Sequence, residues 1–407
     1  MSLYFDALET RTADQRASDL ASALPQQIAR AKVLSGYAAR FADVDPARIT
    51  DAAALASLPV LRKSELIEAQ GQKPPLGGFN AIPVSDFAHI FQSPGPIYEP
   101  GGNTHDWWRM GRFVHACGVG NQDIVQNCFG YHLTPAGMIF ENGARAVGAT
   151  VLPAGTGQTE LQVSAAAAMG VTAYAGTPDY LKVILDKAAE MGADLAISKA
   201  VVGGGALFPS LRQEYADRGI TCLQCYATAD LGNIAYESPA MEGMILDEGV
   251  IVEIVTPGTG NPVQPGEVGE VVVTTLNPDY PLIRFATGDM SAVLPGESPC
   301  GRTNMRIKGW MGRADQTTKI KGMFVRPEQV AALVAKHDEI HKARVIASRD
   351  GEMDVMTVQI ETEAQDSAAY DATVSNVLKL RGTVELVSPG SLPNDGLVIE
   401  DKRSYDA

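Results

Sequence analysis

Between residues 106 and 205 the chain alternates two kinds of segment at a spacing that leaves few folds open. Helix-like stretches at 107–117, 136–147, 161–169 and 178–191 are separated by short apolar runs at 124–129, 150–153, 172–175 and 199–202. Strands that alternate with helices in this way build a mainly parallel sheet with helices on both faces. Ligands then belong at the carboxyl ends of the strands.

The flanks read differently. The N-terminal stretch is helical up to LPVLRKSEL, where Pro59 and Lys63-Ser64 mark a turn into a further helix. Residues 249–273 are strand-rich with Pro/Gly turns and predict a small β subdomain. Past Asp315 come a helix (327–335), two strands (342–348 and 354–361), a helix (368–380) and a strand (383–387), a small α+β domain. A chain of 407 residues exceeds one compact core, so more than one domain is expected.

Charge and cysteine content narrow the function. A net charge of −15 argues against a general nucleic-acid surface, which needs basic patches. No apolar run approaches the roughly 20 residues that span a bilayer, so no membrane partner is expected. The N-terminus, MSLYFDALETRTADQR, is charged and lacks an apolar signal region, which predicts a cytoplasmic protein. Five cysteines in a large chain fit reduced thiols better than a disulfide framework. Cys222 and Cys225 have CxxC spacing, yet they sit in an apolar strand-like run and read as structural.

The richest stretch runs from 281 to 325. Thr287-Gly288-Asp289 follows the strand-like Leu282-Ile283-Arg284-Phe285. A carboxylate set beyond a strand end by glycine can accept both hydroxyls of a ribose. Gly312-Arg313-Ala314-Asp315 offers a guanidinium fork for phosphate or ribose oxygens. Each tetrapeptide alone also reads as ordinary loop chemistry; the pairing in this order is the stronger signal.

TGD followed by GRADxxxKxxGxxVxPxxV resembles the late core motifs of the adenylate-forming acyl-CoA synthetases. The surrounding sequence is similar to their phenylacetate-CoA ligase branch over nearly the whole chain. The resemblance implies a large N-terminal domain, 1–314, and a small mobile C-terminal domain, 315–407, that rotates about a hinge at Asp315. It also implies that Asp289 holds the AMP ribose, that Arg313 contacts the nucleotide, and that Gly322 lies where the loop of the small domain approaches the pantetheine thiol. Phe129-Gly130-Tyr131-His132-Leu133 is similar to the loop whose aromatic, here Tyr131, lines the acyl pocket. Gly203-Gly204-Gly205-Ala206 matches the loop beside adenine, with Gly204, Gly205 and Ala206 as the contacting residues. Tyr226-Ala227-Thr228-Ala229-Asp230 matches the motif in which the tyrosine stacks on adenine and the acid, here Asp230, binds Mg2+.

Three departures fall on the polyphosphate side: the phosphate-loop lysine, its hydroxyls, which Pro96 and Ile97 replace, and the terminal lysine. The phosphate loop of the family corresponds to AHIFQSPGPIYEPGG, residues 88–102. Ser93 and Gly95 match, but Glu99 stands at the lysine position. At ~5 Å and an effective dielectric of ~20, that swap turns roughly 3 kcal/mol of attraction for a phosphate charge into a similar repulsion. The terminal lysine of the family is replaced by Leu397, with Lys402 the nearby substitute. At the structural zinc site of many relatives the approximate ligand positions hold Ser238, Ile245 and Ser298, and Cys300 remains; one thiol does not close a tetrahedral site, so no zinc is expected. The implied function is an acyl-CoA ligase that joins a small organic or aromatic acid to CoA through an acyl-adenylate. ATP or AMP, Mg2+ and CoA would be the cofactors, and a homodimer is left open. An enzyme of acyl-adenylates or thioesters that does not use ATP, and a non-catalytic nucleotide- or CoA-binding paralogue, remain as alternatives.

Overall fold

The computed structural model describes residues 2–93, 96–205, 207–314, 316–321, 323–350, 353–393 and 397–403. The expectations for Gly95, Ala206, Asp315 and Gly322 lie outside the described residues. The chain divides into two compact units, one of 1–252, 273–285 and 294–309, the other of 253–272, 286–293 and 310–407.

In the first unit the long helix Ala13–Lys32 starts at a reciprocal cap. Thr12 Oγ1 accepts from the Gln15 amide at 3.1 Å, and Gln15 Oε1 accepts from the Thr12 amide at 3.0 Å. Its apolar face buries Leu24, Ile28 and Ala31 completely. The alternating segment forms the expected sheet: Thr150–Pro153, Ile124–Asn127, Ala173–Gly176, Lys199–Val202 and Thr221–Thr228 lie side by side and parallel. From Thr221–Thr228 the same sheet continues antiparallel through Gly232–Tyr236, Met244–Leu246 and Arg306–Ile307. Helices supply the cover: Leu181 and Ile184 of Pro178–Met191 are fully buried, each worth about 1.5–3 kcal/mol of apolar burial.

Two segments depart from the expected structure in this unit. The helix predicted over 107–117 is only Gly111–Ala116. The Asp106 carboxylate accepts from the Gly111 amide at 3.0 and 3.1 Å, which starts the helix there, while Asp106 and Arg109 hold left-handed φ values that no helix allows. Residues 88–102 are a hairpin rather than an open loop: His89–Ser93 pairs antiparallel with Ile97–Gly101, Phe91 opposite Glu99.

In the second unit the parts of strands Val250–Val255, Gly269–Thr275 and Phe285–Ser291 that belong to it are neighbours. The Thr287 hydroxyl donates to Val271 O at 3.0 Å. TGD therefore lies inside a strand and not beyond its end. Gly288, at φ +73°, kinks the backbone there without ending the pairing. Beyond it, Lys342–Asp350 and Met353–Glu361 pair antiparallel, with Thr383–Val387 and Ile399–Asp401 added in parallel on either side. The helices Pro327–Val334 and Ala368–Leu378 pack on this sheet through Val330, Leu333, Val374 and Leu378 against Val345, Val358 and Ile360. The second helix stops two residues short of the expected end because Lys379 is left-handed, at φ +57°.

Candidate functional site

At the carboxyl ends of the parallel strands the first unit gathers three expected loops. Past Ile124–Asn127 the Phe129 ring stacks on Phe140 at 4.2 Å between centroids. Asn127 Nδ2 donates both to Tyr131 Oη and to Gly137 O, each at 2.8 Å. That fork fixes the half-buried Tyr131, whose phenol is pushed up from its ordinary value by burial first and by Glu141 next. The approach needs glycine: a Cβ on Gly137 would stand 2.8 Å from both Gly130 O and the Tyr131 ring. His132 is exposed.

Past Lys199–Val202, the Gly203 amide donates to Gly176 O at 3.2 Å, and Gly204 faces Phe129 while Gly205 sits against Thr177 and Pro178. Two of the expected loops thus meet. Tyr226 is buried on Thr221–Thr228, at a register shift between Tyr226 and Ala227. Asp230 follows in the turn, with its side chain 3% exposed.

Sequence reasoning missed what holds Asp230. Lys63, the first residue of helix Lys63–Gln72, places Nζ 3.0 Å from Asp230 Oδ2. The LPVLRK signal was legible as a helix start, but nothing local to it points across the chain to residue 230. Glu99 lies in the same neighbourhood. Its side chain is buried in strand Ile97–Gly101, and neither oxygen has a hydrogen-bond partner. Burial, then the Asp230 carboxylate, push its carboxyl up to about 8, with the Lys63 charge countering in part. The expected repulsive charge at residue 99 is therefore mostly absent at neutral pH. Ser93 ends the first hairpin strand, opposite Ile97.

In the second unit the two late motifs are laid side by side by backbone bonds. Met290 N donates to Gly312 O, Met311 N to Met290 O and Ala314 N to Gly288 O, at 2.8–2.9 Å. Asp289 Oδ1 accepts from Arg313 Nη1 at 2.8 Å and from Trp310 Nε1 at 3.1 Å. A Cβ at residue 288 would come within 2.8 Å of Arg313 Nη2, so a larger residue there would push the guanidinium aside. Trp310 was not singled out in the sequence, where a tryptophan before GRAD carries no signal of its own. Lys402 Nζ lies 3.6 Å from Glu400 Oε2, with its side chain half exposed.

The cysteines are all free thiols; Cys222 and Cys225 are buried, and burial pushes Cys222 up to about 12. Such thiols are inert. At the approximate zinc positions Ser298 Oγ lies 3.1 Å from Cys300 Sγ, and Arg302 Nη1 donates to that sulfur at 3.6 Å. Burial alone would raise the Cys300 thiol, but Ser238, Ser298 and Arg302 together hold it below its ordinary value. A guanidinium thus sits against the sulfur. Among the described residues no helix is long and apolar enough to cross a membrane.

Residues 110–277 match the family described as AMP-binding enzyme. A phenylacetate-coenzyme A ligase of Escherichia coli (strain K12) is 30% identical over 302 residues, covering 69% of this chain and 68% of that protein. One from Thermus thermophilus is 27% identical over 337 residues, covering 79% and 75%. A 2-hydroxyisobutyryl-CoA ligase, solved in an open conformation with 2-HIB-AMP and CoA, superposes with a TM-score of 0.72 over 96% of this chain and 92% of that one; at 23% identity this shows a common fold. The chain belongs to the AMP-binding, adenylate-forming enzymes, in their phenylacetate-CoA ligase branch.

Proposed function

We propose that the protein is an acid–thiol ligase that converts a small organic or aromatic acid to its CoA thioester through an acyl-adenylate. A carboxylate is a poor electrophile. Attack of its oxygen on the α-phosphorus of ATP expels pyrophosphate and leaves a mixed anhydride. A thiol then attacks the acyl carbon, AMP departs with the carboxylate oxygen, and the thiol proton passes to solvent. The observation that carries this reading is the convergence, at the carboxyl ends of one parallel sheet, of the aromatic Phe129–Tyr131 loop, the Gly203–Gly205 loop and the Tyr226–Asp230 turn. That is where a doubly covered sheet binds ligands.

In this reading Tyr131 lines the acyl pocket, and Gly204, Gly205 and Tyr226 face the adenine. Asp289, with Arg313, holds the ribose, and Lys402 stands in for the lysine that Leu397 lacks. Ala206, Gly95, Asp315 and Gly322 keep the roles that the resemblance implies. The test is ATP–pyrophosphate exchange over a panel of carboxylic acids, followed by mass detection of acyl-CoA. Acid-dependent exchange together with the thioester is the expected result. Thioester formed from supplied acyl-AMP, with no exchange, would move the protein to the ATP-independent alternative. Neither product from any acid, with AMP still bound, would leave a binding protein.

A further inference from the structure

The acid at the end of strand Thr221–Thr228 already has a cation. Lys63 Nζ stands 3.0 Å from Asp230 Oδ2, and its side chain is 41% exposed while that of Asp230 is only 3% exposed. The ammonium is thus anchored on one side and open on the other. One of its three N–H donors is used by Asp230, which leaves donors for a ligand. The remaining oxygen, Asp230 Oδ1, is buried without a hydrogen-bond partner, as are both oxygens of Glu99.

A divalent ion fits these donors poorly. Magnesium demands near-octahedral oxygen ligands at about 2.0–2.1 Å, so on Oδ2 it would crowd an ammonium 3.0 Å from the same atom. The remaining oxygen, Oδ1, is buried. An ammonium needs no such shell. It is a compact point charge that one carboxylate can hold in place.

We propose that Lys63 is the phosphate-binding cation of this site, resting on Asp230 where the resemblance puts Mg2+ and supplying the positive charge that Glu99 does not. Its ligand is the phosphate of an adenylate. One fixed positive charge suits a nucleotide monophosphate or acyl-phosphate diester better than a triphosphate, whose further charges would meet no second lysine at residue 99. Lys63 is then a substrate-contacting residue and Asp230 a positioning residue that aims it. The inference rests on the adenylate reading of this site, and the experiment separates the two.

The full chain is titrated with AMP by calorimetry, once with EDTA and once with excess MgCl2, and Mn2+ binding is followed by electron paramagnetic resonance. The wild type should bind AMP equally in both buffers. Lys63→Met should lose about tenfold or more in affinity in EDTA, the scale of one charge-assisted contact. It should also gain a bound Mn2+ signal that Lys63→Met/Asp230→Asn lacks. In the unmodified protein, saturating AMP should protect Lys63 from acetylation mapped by mass spectrometry, which needs no variant to fold. AMP binding that requires Mg2+, or Lys63 acetylated equally with and without bound AMP, overturns the role of Lys63 alone. No AMP binding in either buffer overturns the adenylate reading and this role with it.

Discussion

Glu99 makes the stability of this protein depend on pH in a direction opposite to that of an ordinary paired carboxylate. Its carboxyl titrates near 8 in the fold against an ordinary 4.5, so between these values the folded chain holds a proton that the unfolded chain has lost. Stability then falls as pH rises, by on the order of 2–4 kcal/mol between pH 5 and pH 8. The contribution is fully present below about pH 4.5 and is lost through pH 8. Glu99→Gln should flatten that slope and unfold at higher denaturant than the wild type at pH 8, with the two converging near pH 5. Parallel pH profiles for the two proteins in urea titrations would remove the argument. The sequence placed Glu99 at a phosphate-loop position but could not give its direction. The period of two along Ile97–Gly101 puts Glu99 on the same face as the fully buried Ile97, and only the pairing with His89–Ser93 reveals a strand there at all. Lys63 was illegible for a different reason: its partner is 167 residues away, and no local pattern encodes such a contact.

At the scale of elements, alternation of helix and strand was enough to read the parallel half of the large sheet. The antiparallel half was not read, because Gly232–Tyr236 and Met244–Leu246 are buried at every position and show none of the alternation that marks a half-exposed strand. The late motifs were legible as a pair but not as backbone neighbours, since the left-handed Gly288 hides the strand that continues through it and GRAD meets it only at an isolated bridge. Two outcomes follow from that pairing. Asp289→Asn should weaken AMP binding about a hundredfold, roughly 3 kcal/mol for a pair of charge-assisted hydrogen bonds; unchanged calorimetric affinity with the fold intact would sink the ribose role. Gly288→Ala should cost about 1–3 kcal/mol of stability from its φ alone and should also displace the Arg313 guanidinium. A melting temperature equal to that of the wild type would show that the backbone relaxes there.

At the scale of the whole molecule, the resemblance implies that 315–407 turns as one body about Asp315, which we retain as a proposal. Asp315→Pro would fix φ at that point. Adenylation and thioester formation, assayed separately, should then part company, one spared and the other blocked; equal loss of both, or of neither, counts against the hinge. The segment just past that point has one more property. Gln316 Oε1 accepts from the amides of both Val398 and Ile399, at 2.7 and 2.8 Å, and Lys402 N donates to Ala347 O at 2.8 Å. The strand Ile399–Asp401, which Lys402 follows, is therefore bolted to the first described residue beyond the proposed pivot. If the small domain does turn at that point, it is a pointer fixed to its own axle: arrival of the lysine and rotation at the pivot would be one event.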